Sequence, residues 1–147
     1  MKREFSAGGV VVRRLRGSWH VATIRPAGKA RVWALPKGNL APGEPAADAA
    51  AREVLEETGL DARLVSKLGD VRYVYTWDGE RIFKVVSFYL FRATRGRLGN
   101  VAAEHQHEVA ETRWVPLADA PSELSYGGER EMARRALELV SADADSL

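Results

Sequence analysis

The chain has 147 residues, of which 46% are hydrophobic and 29% charged, a balance typical of one globular domain. Its formal net charge of +2 suits a phosphate-bearing small substrate and gives no reason to expect nucleic acid as a partner. The absence of cysteine excludes disulfides, thiolate metal sites and a cysteine nucleophile. Since no apolar run approaches the roughly 20 residues of a membrane helix, we expect a single cytoplasmic domain over residues 1–147 without membrane contact.

The first part of the chain predicts strands, a tight loop and a helix. Short segments that are β-branched or alternate between apolar and polar residues indicate strands at 6–14, 19–25 and 31–36. The glycines and proline of Gly38–Gly43 indicate a defined loop. Pro45 suits the first helical position, helix formers continue through Thr58, and Gly59 suits the left-handed residue that ends a helix.

The second part predicts a long hairpin, a polar loop, a last strand and a C-terminal helix. Residues 62–77 and 81–94 are rich in Val, Tyr, Phe and Ile, and Asp78-Gly79 between them is a hairpin signal. We expect the loop at 95–111 and the strand at 112–117. The final helix places four apolar residues on one side, namely Met132, Ala136, Leu139 and Val140. The tail at 141–147 is expected to be flexible. This order predicts an α/β sandwich with a mixed sheet.

Glu53, Glu56 and Glu57 form an unusual group on the first predicted helix. Carboxylates three and four positions apart share a helix face, and each like-charge pair costs about 0.2–0.5 kcal/mol. Oxygen ligands that converge are what Mg²⁺ or Mn²⁺ prefers, together with substrate phosphates. The alternative is a solvated charged face on which Arg52 and Lys67 offset the repulsion.

The segment from Gly38 to Leu60 carries a complete family signature. Its constrained residues, with fixed spacings between them, are Gly38, Glu44, Arg52-Glu53-Val54, Glu56-Glu57 and Gly59-Leu60. The segment resembles the box of the MutT-like Nudix hydrolases, G-x5-E-x7-R-E-U-x-E-E-x-G-U with U aliphatic. Outside it, "SAGGVVV", "WALPKG" and "HEVAETRWVPL" resemble further family segments. The resemblance implies the Nudix fold, an α/β/α sandwich with a mixed β-sheet, and Mg²⁺-dependent hydrolysis of a nucleoside diphosphate linked to another moiety, with Mn²⁺ as an alternative metal.

The resemblance also implies roles for the residues of the box. Glu56 and Glu57 correspond to metal ligands, and Glu53 joins them as ligand or general base. Arg52 corresponds to the arginine that orients the catalytic glutamate, and Glu44 helps to fix that arginine.

Two further metal or catalytic contributions are implied outside the helix. Gly38 corresponds to a residue that often lends its backbone carbonyl to the metal. A glutamate from a later loop takes part in several Nudix enzymes, and Glu108 matches it best, with Glu104 and Glu111 as alternatives. A zinc site at His105 and His107 is a weaker hypothesis, and His107 is alternatively a group that binds phosphate or transfers a proton.

The substrate is predicted from segments that flank the box. "LPKG" and "LSYGGEREMARRALEL" resemble the branch that cleaves diadenosine polyphosphates, and Tyr126 takes the position of an aromatic residue that can stack on a base, or else packs the helix. Lys37, Arg25 and Lys84 are candidates to contact phosphates.

The leading hypothesis is therefore a dinucleoside polyphosphate such as diadenosine tetra- or hexaphosphate. A (d)NTP pyrophosphatase of the MutT sanitising type and a non-catalytic nucleotide sensor are the alternatives. The partner is expected to be a small nucleotide, and relatives that pair as dimers make a homodimer a further expectation.

Overall fold

The computed structural model describes residues 1–143 and 147. Within these residues the elements follow one another as β1 Lys2–Leu15, β2 Ser18–Pro26, β3 Lys37–Asn39, α1 Ala46–Thr58, β4 Asp61–Trp77, β5 Glu80–Arg95, a 3-10 turn Ala103–His105, β6 Val109–Pro116, α2 Ala120–Glu123 and α3 Gly127–Ala142. The described helices include no segment that is both long and apolar enough to cross a membrane.

The strands form one mixed sheet in the order β4-β5-β1-β2-β6. β1 runs parallel to β5 along Lys2–Val12, and the other pairings are antiparallel. On its other edge β1 pairs first with β3, through residues 6–8, and then with β2, through residues 12–15. β3, which leads into α1, is thereby fixed beside the N-terminal half of β1.

Alternation along β1 divides the core between the two faces of the sheet. Val10 and Val12 belong to the cluster that includes Met132 of α3, whereas Val11 packs in the cluster that includes Val54 of α1. Successive side chains of a strand point to opposite faces, so the two long helices cover opposite sides of the sheet. The α/β/α sandwich with a mixed sheet is confirmed.

The strand predicted at 31–36 is wrong. Its contacts with the sheet include an isolated bridge between Ala34 and Ile24 and a hydrogen bond from the Gly9 N–H to the Pro36 carbonyl. Pro36 has no N–H to donate to a ladder, and the Leu35 N–H donates to the Glu129 side chain over 2.7 Å. The third strand, β3, begins instead at Lys37 and includes the first two residues of the predicted loop.

The local turn and helix-end signals are confirmed, with small shifts of boundary. Gly59 adopts φ 80° and ends α1, while Pro45 is the N-cap residue and not the first helical residue. Asp78 and Gly79 both have positive φ, 50° and 74°, as a two-residue hairpin turn requires. β6 begins at Val109, earlier than predicted, because Val109 already pairs with Pro26 of β2.

The C-terminal helix has three of its four predicted core residues. Met132, Ala136 and Val140 are buried, but Leu139 is 43% exposed, so its assignment to the core is wrong. At 100° per residue the buried residues of α3 span about 100° from Met132 to Ala133, and Leu139 lies about 20° outside this arc, next to Met132. α3 continues through Ala142, so the first two residues of the predicted flexible tail are helical, and residues 144–146 lie outside the described part. The short helix α2 was not predicted.

Gly59→Ala should destabilise the protein by more than about 1–2 kcal/mol, the cost of a left-handed residue with a Cβ. The added Cβ would also overlap the Asn100 carbonyl. Gly17→Ala is a matched control, because Gly17 has φ 83° but no neighbour within 4 Å of its Cβ position. Urea denaturation of both variants measures the difference, and equal losses of stability would show that the Asn100 contact has no effect.

Candidate active site

Arg52 is the centre of the hydrogen-bond network on α1. Its Nε and Nη2 donate to the two carboxylate oxygens of Glu44 over 2.8 and 2.9 Å. Nη1 donates to Glu53 over 2.8 Å and to both oxygens of Glu56 over 3.2 Å. Nη2 also reaches the Asn39 carbonyl at 3.0 Å. One guanidinium therefore connects the loop before α1 to two of the glutamates, whereas Lys67 pairs with Asp70.

The loop carboxylate of Glu44 has a clear function in this network. Its hydrogen bond from Arg52, aided by the Ala41 N–H, lowers the pKa of Glu44 to about 2. Glu44 therefore remains ionised at any ordinary pH. The bidentate contact with Glu44 holds the planar guanidinium of Arg52 in one orientation. This fixes the direction in which the remaining N–H groups of Arg52 point.

The Glu57 carboxylate is held by a backbone N–H group of the segment before α1. The Lys37 N–H donates to Glu57 Oε1 over 2.8 Å. Burial raises the pKa of Glu57 to about 8, Glu53 and Glu108 add to the rise, and Lys37 opposes it. Burial is also the main cause of a raised pKa at Glu53, against the hydrogen bond from Arg52.

These carboxylates fit a divalent cation. Burial makes ionisation of Glu53 and of the half-buried Glu57 unfavourable unless positive charge lies close to them, and hard oxygen donors of this kind suit Mg²⁺. Glu53, Glu56, Glu57 and the Gly38 carbonyl are the groups that would hold it. A Cβ at Gly38 would overlap the Glu53 carboxylate, so glycine there leaves the space that this carboxylate occupies.

The segment between β5 and β6 contributes Glu108 and His105. The structure places ligand atoms of Glu56, His105 and Glu108 within 4.8 Å of one another. The charge of Glu108 also adds to the raised pKa values of Glu53 and Glu57. Of the three loop glutamates considered, Glu108 is therefore placed beside the box.

The other loop candidates are placed differently. Glu104 has a 78% exposed side chain, and its Oε1 is 3.9 Å from His105 Nε2. Glu111 pairs with Arg25 at 3.3 Å. His105 and His107 do not converge, because the 3-10 turn directs His105 toward Glu56 while the His107 side chain is 76% exposed.

Lys37, whose N–H contacts Glu57, also lines a cleft of about 690 Å³. We call it the lysine cleft. Residues from four parts of the chain that line it include Lys29, Lys37, Tyr73, Lys84, Tyr126 and Glu129. The Lys37 ammonium is 5.2 Å from the centroid of the Tyr126 ring. Burial lowers the pKa of Lys84, with Lys37 and Lys29 adding to the effect and Glu4 opposing it.

The structure thus brings three of the four predicted substrate residues together. Lys37, Lys84 and Tyr126 line the lysine cleft, whereas Arg25 is tied to Glu111 of β6. Sequence reasoning missed Lys29 and Glu129. Lys29 follows a turn without a motif, and Glu129 reads as an ordinary polar residue of an amphipathic helix, so no local signal marked either residue.

The arrangement matches a known family over most of its length. A family model described as the NUDIX domain matches residues 3–136. The chain belongs to the Nudix hydrolase family. The box of this Nudix chain, from Gly38 to Leu60, lies within the matched range.

Curated relatives differ in length and in the activities that their names print. The Nudix chain is 38% identical over 142 residues to a putative mutator protein, MutT4, of Mycobacterium tuberculosis, a match that covers 93% of this chain and 56% of that protein. It therefore spans about half the length of that relative. It is 25% identical over 130 residues to the asymmetrical bis(5'-nucleosyl)-tetraphosphatase of Caenorhabditis elegans, which covers 88% of this chain and 91% of that protein.

A solved structure agrees with the fold. A binary complex of the C. elegans Ap4A hydrolase superposes with a TM-score of 0.74 at 23% identity, over 95% of this chain and 98% of that one. At this identity the likeness supports the Nudix sandwich and nothing finer.

The metal-free protein should lose stability as the pH rises from about 4.5 to about 8. Between these values the folded state keeps the Glu57 proton and the unfolded chain, with a pKa near 4.5, releases it. The contribution of the Glu57 proton to the free energy of unfolding is complete below pH 4.5 and is lost as the pH rises to 8. For one proton, the free energy of unfolding falls by at most about 1.4 kcal/mol per pH unit. Urea denaturation in EDTA at several pH values measures this slope.

Glu57→Gln is the test variant for this slope, because its amide is neutral at every pH. We expect its stability to change less between pH 5 and 8 than that of the wild type. Glu131→Gln, which removes an exposed carboxylate of α3, should keep the wild-type slope. A wild-type slope in Glu57→Gln would contradict the assignment.

Proposed function

We propose that the chain is a single Nudix domain that hydrolyses a phosphoanhydride bond of a nucleoside diphosphate-linked substrate with Mg²⁺. The observation that carries the proposal is the convergence of Glu53, Glu56, Glu57 and Glu108 beside a cleft lined by lysines. The carboxylates suit a cation, and the lysines suit phosphates. Lys37 belongs to both, since its N–H contacts Glu57 and its ammonium lines the cleft.

The carboxylates, Arg52 and the lysines have different roles in the proposed hydrolysis. A bound divalent cation neutralises phosphate charge and makes a water molecule more acidic. Glu53 or Glu108 accepts the proton of the attacking water, and a raised pKa at Glu53 suits a general base. Arg52 keeps Glu53 and Glu56 in place and prevents the carboxylates from separating. Lys37 and Lys84, which line the lysine cleft, contact the phosphates.

The leading substrate is a dinucleoside polyphosphate, such as diadenosine tetra- or hexaphosphate. The lysine cleft supports it, because three ammonium groups can neutralise a chain of phosphates while Tyr73 and Tyr126 offer rings to a base. The similarity to the C. elegans tetraphosphatase over 91% of that protein gives independent support.

The second candidate is a (d)NTP pyrophosphatase of the nucleotide-sanitising type. The higher identity to the M. tuberculosis mutator protein favours it. A sensor that binds nucleotide without cleaving it has less support, since every glutamate of the box is present.

Glu53→Gln should lower kcat by at least about 100-fold, the range for loss of a positioned base. The amide keeps the shape of the side chain and its contact to Arg52, so the fold is expected to persist. Steady-state kinetics with Mg²⁺ measures the loss, and Glu131→Gln is the control with wild-type turnover. A Glu53→Gln variant with full turnover would contradict the proposed site.

The substrate is tested by a panel of diadenosine polyphosphates, (d)NTPs including oxidised ones, NDP-sugars and ADP-ribose. Products are separated by chromatography. Release of ATP or ADP from a dinucleotide at the highest kcat/KM supports the leading substrate. Preference for a triphosphate supports the second candidate, and absence of turnover in the wild type contradicts both.

A further inference from the structure

Glu129 is a buried carboxylate that the hydrolytic chemistry leaves without a role. It lies in the first turn of α3 and is 3% exposed. Both of its oxygens accept hydrogen bonds from the same segment of chain. Oε1 accepts the Leu35 N–H over 2.7 Å, and Oε2 accepts from the Lys37 ammonium over 2.6 Å. A buried charge needs partners of this kind to be tolerated.

This pairing determines where the Lys37 ammonium lies. The side chain of Lys37 is 26% exposed and that of Glu129 4% exposed, so the ammonium reaches solvent while its partner does not. The Tyr126 ring lies 5.2 Å from the ammonium and limits its movement on another side. An ammonium has three donors, and Glu129 uses one of them. The others remain available to a phosphate in the lysine cleft.

We infer that Glu129 is a positioning residue for polyphosphate binding: it holds the Lys37 ammonium in order, in the lysine cleft, before the substrate arrives. The inference rests on the proposed function, in which Lys37 contacts phosphate. A free lysine loses considerable side-chain entropy when a ligand orders it. In this protein Glu129 has already ordered Lys37, so the phosphate chain binds to a fixed ammonium.

The direction in which Glu129→Gln changes phosphate affinity distinguishes a positioning role of Glu129 from a simple effect of its charge. Glu129→Gln removes a negative charge from a site for anions, and by charge alone it should tighten phosphate binding. The glutamine can still accept the Leu35 N–H, so the segment before β3 keeps its anchor. Only the ion pair with Lys37 is lost. Positioning therefore predicts weaker binding from a change that makes the cleft more positive.

The test is calorimetric binding of inorganic tripolyphosphate in EDTA to the full chain. We expect Glu129→Gln to bind about tenfold more weakly than the wild type, a factor comparable to the cost of ordering one lysine. Lys37→Met should show a similar loss. In the Lys37→Met background, Glu129→Gln should cause no further weakening, because no ammonium is left to position. Glu131→Gln removes a charge from the same helix outside the cleft and should bind like the wild type.

Glu129→Asp provides a second variant if the glutamine variant does not fold. It keeps the charge but is too short to keep both contacts, so positioning predicts weakened binding and plain charge predicts none. Unchanged or tighter binding in Glu129→Gln or Glu129→Asp would overturn the inference, as would absence of tripolyphosphate binding by the wild type.

Kinetics separates failure of this inference from failure of the proposed function. With a hydrolysed substrate, Glu129→Gln should raise KM about tenfold and change kcat little, whereas a merely structural role would alter thermal stability without this split. If the wild type turns over no substrate while the tripolyphosphate pattern holds, the proposed function fails and the positioning role stands. If the wild type turns over substrate normally and the KM of Glu129→Gln is unchanged, the positioning role fails and the proposed function stands.

Discussion

The site depends on the burial of carboxylates that the fold brings close together. Burial raises the pKa values of Glu53 and Glu57, so their ionisation in the folded protein is unfavourable, and the proposed divalent cation would relieve this cost. Arg52 keeps the arrangement from opening, and Glu44 keeps Arg52 in one orientation. A half-buried loop carboxylate, ionised down to a pH of about 2, therefore fixes through Arg52 the positions of Glu53 and Glu56 on the helix.

A second set of contacts joins the two faces of the sheet. α1 and α3 cover opposite faces, yet residues 35–37 connect them around the end of β3. Glu129 of α3 accepts from Leu35 and Lys37, and the Lys37 N–H donates to Glu57 of α1. Because the same residue contributes its backbone to one site and its side chain to the other, a shift of this segment would disturb the carboxylates and the lysine cleft at the same time.

Local physics explains which parts could be predicted from the sequence. The hairpin at Asp78-Gly79, the end of α1 at Gly59 and the glutamates on one helix follow from preferences within a few residues, and each was found. The failures involve contacts between distant parts of the chain. Leu35 gives its N–H to Glu129, 94 positions away, and so the strand predicted at 31–36 does not form. No pattern around Lys29 or Glu129 shows that both line one cleft.

The split pairing of β1 has a consequence for how such a domain can diversify. β2 and β3 share one edge of β1, and the segment between them contributes Lys29 to the lining of the lysine cleft. A change of length around Lys29 would alter the lining of the cleft, whereas the register of β3 is fixed by its own ladder to β1. The cleft can therefore vary while the carboxylates of α1 keep their places.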